Sequence, residues 1–124
     1  MDLTALRVKV FALRRERAGL EDKFMGKPEE MLAGPLIKRS MPCGKPNCHC
    51  HKKGNPGHGP YYYTQLKVKG RFTNIYLGKN KELIELAGRY SEYLKDIARL
   101  RQINREMDKL LEKIKQSRLR REVE

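Results

Sequence analysis

The stretch Tyr61-Tyr62-Tyr63-Thr64-Gln65-Leu66-Lys67-Val68-Lys69-Gly70-Arg71-Phe72-Thr73-Asn74-Ile75-Tyr76-Leu77 reads as a β-hairpin. β-branched and aromatic residues alternate with polar ones on either side of Lys69-Gly70, a two-residue turn. With Val68 opposite Arg71, the pairing runs 67:72, 65:74 and 63:76. One face then carries Tyr62, Thr64, Leu66, Val68, Thr73, Ile75 and Leu77, apolar enough to bury. The other carries Tyr61, Tyr63, Gln65, Lys67, Lys69, Phe72, Asn74 and Tyr76. A slip by one residue would turn the apolar set to water, so this register is favoured.

Upstream of the hairpin, residues 41–60 hold four Gly, four Pro, all three Cys and all three His of the chain. No regular element fits there, and such a segment cannot bury enough apolar area to order itself. Cysteine and histidine crowded within 16 residues, with neither elsewhere in the chain, point to a structural Zn²⁺ site. Metal bonds would supply the missing ordering, because structural zinc binding is coupled to folding. The chosen ligands are Cys43, Cys48, Cys50 and His58, spaced C-x4-C-x-C-x7-H. His49 and His51 compete for the fourth position. A disulfide with one spare thiol is the alternative, weakened by the odd count. Gly57 and Gly59 flank His58 and permit close backbone approach, and Gly44 lets the thiolate loop turn with N–H groups aimed at sulfur.

The run Arg39-Ser40-Met41-Pro42-Cys43-Gly44-Lys45-Pro46-Asn47-Cys48-His49-Cys50, followed by Gly57-His58-Gly59-Pro60-Tyr61-Tyr62-Tyr63, a hairpin and a long charged helix, resembles a family of small, uncharacterised prokaryotic proteins. The shared signature is C-G-K-x-x-C-x-C, a short basic gap, then H-G-P-Y-x-Y. The resemblance covers residues 36 to about 105 and is specific at the Cys and H-G-P-Y positions. It implies that Cys43, Cys48, Cys50 and His58 are the matched set. It brings no activity with it, since the family is a domain of unknown function.

Helices are expected on both sides. In residues 3–25, Leu3, Leu6, Val10, Leu13, Leu20 and Phe24 occupy a and d positions of a heptad, with Arg17 at the remaining one and Gly26 as the stop. Pro28 to Ala33 suggests one further turn, and residues 36–40 look extended. Asn80 is the expected N-cap of a last helix, with Glu82 in its first turn. From there Leu83, Tyr90, Ile97, Asn104 and Leu111 fall on a, and Leu86, Tyr93, Leu100, Met107 and Ile114 on d. The expected fold is mainly α: an antiparallel coiled-coil helix pair with a small zinc-stabilised β-hairpin head at its tip. Its parts are residues 1–35, 36–79 and 80–124.

If the helices return alongside each other with Phe24 near Leu83, then Arg17 lies near Tyr90, Val10 near Ile97 and Leu3 near Asn104. Met107, Leu110, Leu111 and Ile114 would then lack a partner in the same chain. An exposed apolar stripe is unfavourable, so this reading expects a homo-oligomer joined through the C-terminal helix. Asn104 would either fix its register or mark a solvated break.

Charge separates the function classes. The 124 residues carry 28 Lys+Arg against 15 Asp+Glu, net +13. Residues 41–81 hold eight bases and no acid, whereas the flanks are mixed. A field of one sign favours a polyanion, and the expected partner is nucleic acid, DNA or RNA. The expected contacts are Lys45, Lys52, Lys53, Lys67, Lys69 and Arg71 for phosphates, with Tyr63, Gln65 and Asn74 toward bases. Arg118, Arg120 and Arg121 form a second basic cluster. An enzyme is not expected: the central segment offers no carboxylate base, the metal is coordinatively closed, and no phosphate-binding G-x4-G-K-[ST] loop exists. Neither a small-molecule substrate nor a membrane partner is expected, since no apolar run reaches transmembrane length. The Met1-Asp2-Leu3-Thr4 start shows no secretory pattern, so a cytoplasmic protein is expected. The rival reading is a coiled-coil adaptor whose zinc tip docks on another protein.

Overall fold

A computed structural model describes residues 2–26 and 29–124. In chain order the elements are α1 (Leu3–Phe24), β1 (Ile37–Met41), a short 3-10 turn (His49–His51), β2 (His58–Val68), β3 (Arg71–Tyr76) and α2 (Lys81–Arg118). The two helices take 22 and 38 of the 124 residues, so the chain is about half helical, and the rest is built around one three-stranded antiparallel sheet. The chain divides into two compact units, Met1–Pro28 with Leu94–Glu124, and Glu29–Tyr93.

In the Glu29–Tyr93 unit the hairpin has the expected register: Val68 pairs with Arg71, Lys67 with Phe72, Gln65 with Asn74 and Tyr63 with Tyr76. Lys69 and Gly70 both take positive φ, 49° and 81°, as the tight turn between right-twisted strands requires. The hairpin is not alone, however. The extended residues after Leu36 form β1, which pairs antiparallel with the first half of β2, Ile37 against Tyr63 and Arg39 against Tyr61. The expected two-stranded head is therefore a sheet in the order β1-β2-β3, and β2 begins at His58. The helical turn expected before residue 34 does not form. Residues 29–32 have no regular structure, and Pro28 lies outside the described residues.

The face carrying Thr64 and Leu77 is the buried one. The Thr64 hydroxyl donates to the Pro35 carbonyl at 2.9 Å, which satisfies a polar group that burial would otherwise penalise. Gly34 makes this close approach feasible: a Cβ there would sit 2.5 Å from the Thr64 hydroxyl oxygen. The same segment grips the start of α2. Leu32 N–H donates to the Leu86 carbonyl at 3.1 Å, and Leu36 N–H to Ser91 Oγ at 2.8 Å. Arg89 donates to the Glu30 carbonyl and pairs with Glu29 and Glu85. Ala87 is fully buried beneath these contacts. Asn80 caps the helix as expected, its Oδ1 accepting from Leu83 N–H at 3.2 Å.

In the other unit α1 runs antiparallel to the later turns of α2. Lys23 reaches Asp96 at 2.8 Å, Arg99 makes a two-pronged ion pair with Glu16, and Lys9, Ala12 and Leu13 line one cleft with Glu106, Lys109 and Leu110. The inward positions of α1 are the expected heptad set: Leu6 is buried, and Leu3, Val10, Leu13, Arg17, Leu20 and Phe24 are half-buried. The alignment with α2 is not the expected one. Within this unit Lys23 faces Asp96 and Glu16 faces Arg99, and Lys9 to Leu13 lie beside Glu106 to Lys113, so Val10 lies beyond Ile97 and not beside it. Of the four residues of the expected overhang, Met107 and Leu110 are buried within one chain, and Ile114 is half-buried. The seam is also turned by one position. Ile103 is fully buried and Asn104 exposed, and Leu111 is 50% exposed. Leu100, Ile103, Met107, Leu110 and Ile114 supply an unbroken apolar stripe at alternating spacings of three and four, with no polar residue in it. Among the described residues no helix is long and apolar enough to cross a membrane.

Candidate metal centre

The connection between β1 and β2 carries all four expected ligands. Met41, at the end of β1, pairs with His58, at the start of β2, so the two ends of the connection meet. Gly57 allows this: its φ is 101°, and a Cβ there would lie 2.3 Å from the Met41 carbonyl carbon. From the β1 end, Pro42 leads to Cys43. A turn closed by Cys48 N–H donating to the Lys45 carbonyl at 3.2 Å brings the chain back. The 3-10 turn then lifts Cys50 inward, where it is 3% exposed. The return through residues 52–57 is held by Asn55 N–H donating to the Lys52 carbonyl and Gly57 N–H donating to Asn55 Oδ1.

The result is a cluster in which one donor atom from each of Cys43, Cys48, Cys50 and His58 lies within 4.8 Å of all the others. The Cys43 and Cys50 sulfurs are 3.6 Å apart, and Cys48 Sγ is 3.2 Å from His58 Nε2. A tetrahedral ion with metal–sulfur bonds of about 2.3 Å holds its sulfurs roughly 3.8 Å apart, so the spacing suits four-coordinate binding. It does not suit a disulfide, and all three cysteines are free. Cys43 N–H donates to Cys50 Sγ at 3.3 Å, a backbone dipole aimed at the sulfur as the sequence suggests. The Cys48 thiol is lowered to about 6 by the backbone N–H of Cys50 and then by His58, whereas burial pushes the Cys50 thiol up.

The competing histidines stand outside the cluster. His51 Nε2–H donates to the Cys43 carbonyl at 2.9 Å, which braces the loop. His49 packs edge-on against the His58 ring, 5.8 Å between centroids, with its Nδ1 3.8 Å from Cys48 Sγ. The donor set, three soft sulfurs and one imidazole, fits a structural metal site.

The residues expected to contact nucleic acid divide between two places. Lys45, Lys52 and Lys53 are exposed on the metal-binding connection. Tyr63, Gln65, Lys67 and Asn74 share the open face of the sheet, where Gln65 donates to Asn74 Oδ1 at 3.3 Å. Lys69 sits in the turn, and Arg71, opposite Val68, belongs to the other face at the hairpin tip. The structure adds residues that the sequence reading did not single out. Arg39 pairs with Tyr61 and so joins the open face. Met41, Pro42, Cys43, Tyr61, Tyr63 and Tyr76 line a cleft of about 300 Å³ beside the metal cluster. The signal for this was the extended run 36–40, whose pairing partner could not be assigned without knowing where the connection returned.

The chain belongs to the family described as Domain of unknown function (DUF6788), whose model matches residues 12–87. The match takes in most of α1, the sheet, all four clustered ligands and the first turns of α2. No curated protein and no solved structure matches the chain.

Proposed function

We propose that this member of a family of unknown function is a non-enzymatic nucleic-acid-binding protein, whose metal cluster holds a structural Zn²⁺ and whose sheet presents cations to a phosphate backbone. The observation that carries the reading is the coincidence of two features in one unit. A closed Cys3His set lies at the base of a sheet whose open face shows Lys67, Gln65 and Asn74 to solvent, and the chain has no carboxylate between Glu30 and Glu82. Zinc is favoured over other divalent ions by three thiolates with one imidazole and by tetrahedral spacing. A closed set leaves no position for an activated water, so the metal orders the chain and does not catalyse. Reduced thiolates of this kind suit the cytoplasm.

The test is binding of zinc-loaded protein to short DNA and RNA as salt is raised. The expected result is a linear fall of log affinity with log salt, its slope set by the number of phosphates neutralised. Lys67→Glu, Lys69→Glu and Arg71→Glu combined reverse three exposed charges at the hairpin tip and should weaken binding by more than about tenfold at low salt. Unchanged affinity in that variant removes the hairpin as a contact surface. Absence of binding at low salt to either polymer refutes the reading.

One observation favours the second reading, an adaptor that docks on protein. Val8 and Phe11 on α1 are each 62% exposed, large apolar side chains on the outer side of a helix whose inner side is already occupied. In that reading α1 and the later part of α2 form a coiled coil, and a homo-oligomer would use this outer side together with the exposed Leu111.

A further inference from the structure

The open face of the sheet is not uniform along its length. Toward the hairpin tip, residues 64–75, it is two-stranded and carries Gln65, Asn74, Lys67 and Phe72. Toward the metal cluster it is three-stranded and carries Tyr61, Tyr63 and Tyr76 in mutual contact. Tyr63 and Tyr76 ring centroids are 5.2 Å apart at 49°, and Tyr61 and Tyr76 are 6.5 Å apart at 62°. These rings do not stack flat on one another, so each keeps part of a face available. Tyr76 is 58% exposed. Tyr61, Tyr63 and Tyr76 line the 300 Å³ cleft together with Met41, Pro42 and Cys43.

We infer that this cleft takes an unpaired nucleobase, so that the protein engages single-stranded nucleic acid in preference to duplex. The inference rests on the nucleic-acid reading above and narrows it to a site and a strand class. Three observations support it. The cleft volume lies at the small end of ligand pockets, which run from roughly 300 to 1,000 Å³, so it suits a ring system rather than a peptide segment. One flank is cationic: Arg39 lies across from Tyr61 on the same open face, a cation beside the aromatic platform. Aromatic platforms bordered by basic residues are how single strands are held without sequence preference. Finally, the aromatic end cannot follow the hairpin into duplex DNA. A major groove about 12 Å wide admits a helix or a two-stranded ribbon, and β1 adds a third strand where the tyrosines lie.

The test uses the full chain loaded with zinc and labelled oligo(dT), oligo(U) and a mixed-sequence duplex of equal length, read by fluorescence anisotropy at low salt. The chain has six Tyr and no Trp, so quenching of tyrosine emission on binding reports stacking directly. The expected result is a preference of at least about tenfold for the single strands. Tyr76→Ala should remove about tenfold of single-strand affinity, the loss of one aromatic–base stack, and leave duplex binding as it was. Tyr76→Phe should keep both affinities. Tyr76 is more than half exposed, so the alanine variant is expected to fold, and its zinc content and sheet amide spectrum check this. Equal or tighter duplex binding, or a Tyr76→Ala variant that holds single strands as tightly as the parent, overturns the inference. If either result comes with steep salt dependence and sensitivity to the Lys67/Lys69/Arg71 charge reversal, the broader nucleic-acid reading stands without it. If neither polymer binds, both fall.

Discussion

Among the buried residues of the helix pair are Leu6, Ile103, Met107 and Leu110, all of them apolar and set at helical spacing. In the sheet unit the corresponding residues are Cys50, Thr64, Leu77 and Ala87. One of these is a thiol, one a hydroxyl and one the smallest side chain that packs. A helix pair can order itself from a stripe of aliphatic side chains, because its backbone hydrogen bonds are local and each turn needs only one or two anchors. A short sheet with one face open to water, joined by a connection rich in Gly and Pro, lacks that supply. The cluster of three sulfurs and an imidazole lies where the apolar core is thinnest. With a metal held there as proposed, each unit has its own source of stability, and the two should fail under different treatments.

Metal removal is the treatment with the largest expected effect. Purified protein should carry close to one equivalent of zinc by mass spectrometry. Chelation, or Cys50→Ser, should abolish amide protection in β1 and the first half of β2 while most helical ellipticity survives. Structural zinc contributes on the order of 10 kcal/mol in small metal-dependent domains, more than a sheet of this size holds in reserve. Sheet amides that stay protected after complete chelation would erase the contrast between the units.

The second treatment acts on the other unit. Ile103→Ala empties a fully buried position and should cost about 2–5 kcal/mol, seen as a lower melting temperature of the helical signal with zinc content unchanged. Asn104→Ala, one residue along and exposed, should leave that melting temperature almost where it was. Equal effects from the two would return the seam to the heptad frame that places Asn104 inside. The smallest effect is electrostatic. Arg99, hydrogen-bonded to Glu16, holds that carboxyl below its ordinary 4.5. The pair therefore stabilises the fold above that pH and ceases to do so as pH falls through the lowered value. Glu16→Gln should lower the melting temperature slightly at neutral pH, and the difference should vanish in acid. Both groups face water, so salt should shrink it too.

What could be read from sequence follows the same division between local and distant causes. The hairpin register was legible because Lys69-Gly70 fixes the turn and the alternation of Thr64, Leu66 and Ile75 with polar neighbours fixes the face. The α1 seam and the Asn80 cap were legible for similar reasons, since each depends on residues within a few positions. The clustering of Cys43, Cys48, Cys50 and His58 was legible from density and donor chemistry, with His49 and His51 competing for the fourth place. β1 was legible only as an extended run over residues 36–40; its pairing was not, because Ile37-Lys38-Arg39-Ser40-Met41 has no alternation of its own and its partner, the start of β2, is remote in sequence. The alignment of the helices was not legible either. A heptad fits its partner equally well when slid by whole repeats, and the observed alignment is marked by the ion pairs Lys23–Asp96 and Glu16–Arg99, which no apolar pattern records.

Cys43, Cys48 and Cys50 lie on the single crossing from β1 to β2 and His58 opens β2, so that crossing begins and ends on hydrogen-bonded neighbours. It behaves as a buckle on a strap. The span from His51 to Gly57 passes from the third sulfur to the imidazole, fastened at its ends by His51 and Gly57 but open around Gly54, where nothing packs within 4 Å, and the entropy of closing a longer span grows only with the logarithm of its length. Residues can be added at Gly54 without shifting either strand or any tyrosine beside the cleft. Variation in the spacing between the third Cys and the His is thus a change the architecture absorbs, whereas a single residue gained or lost between Cys48 and Cys50 would unfasten it.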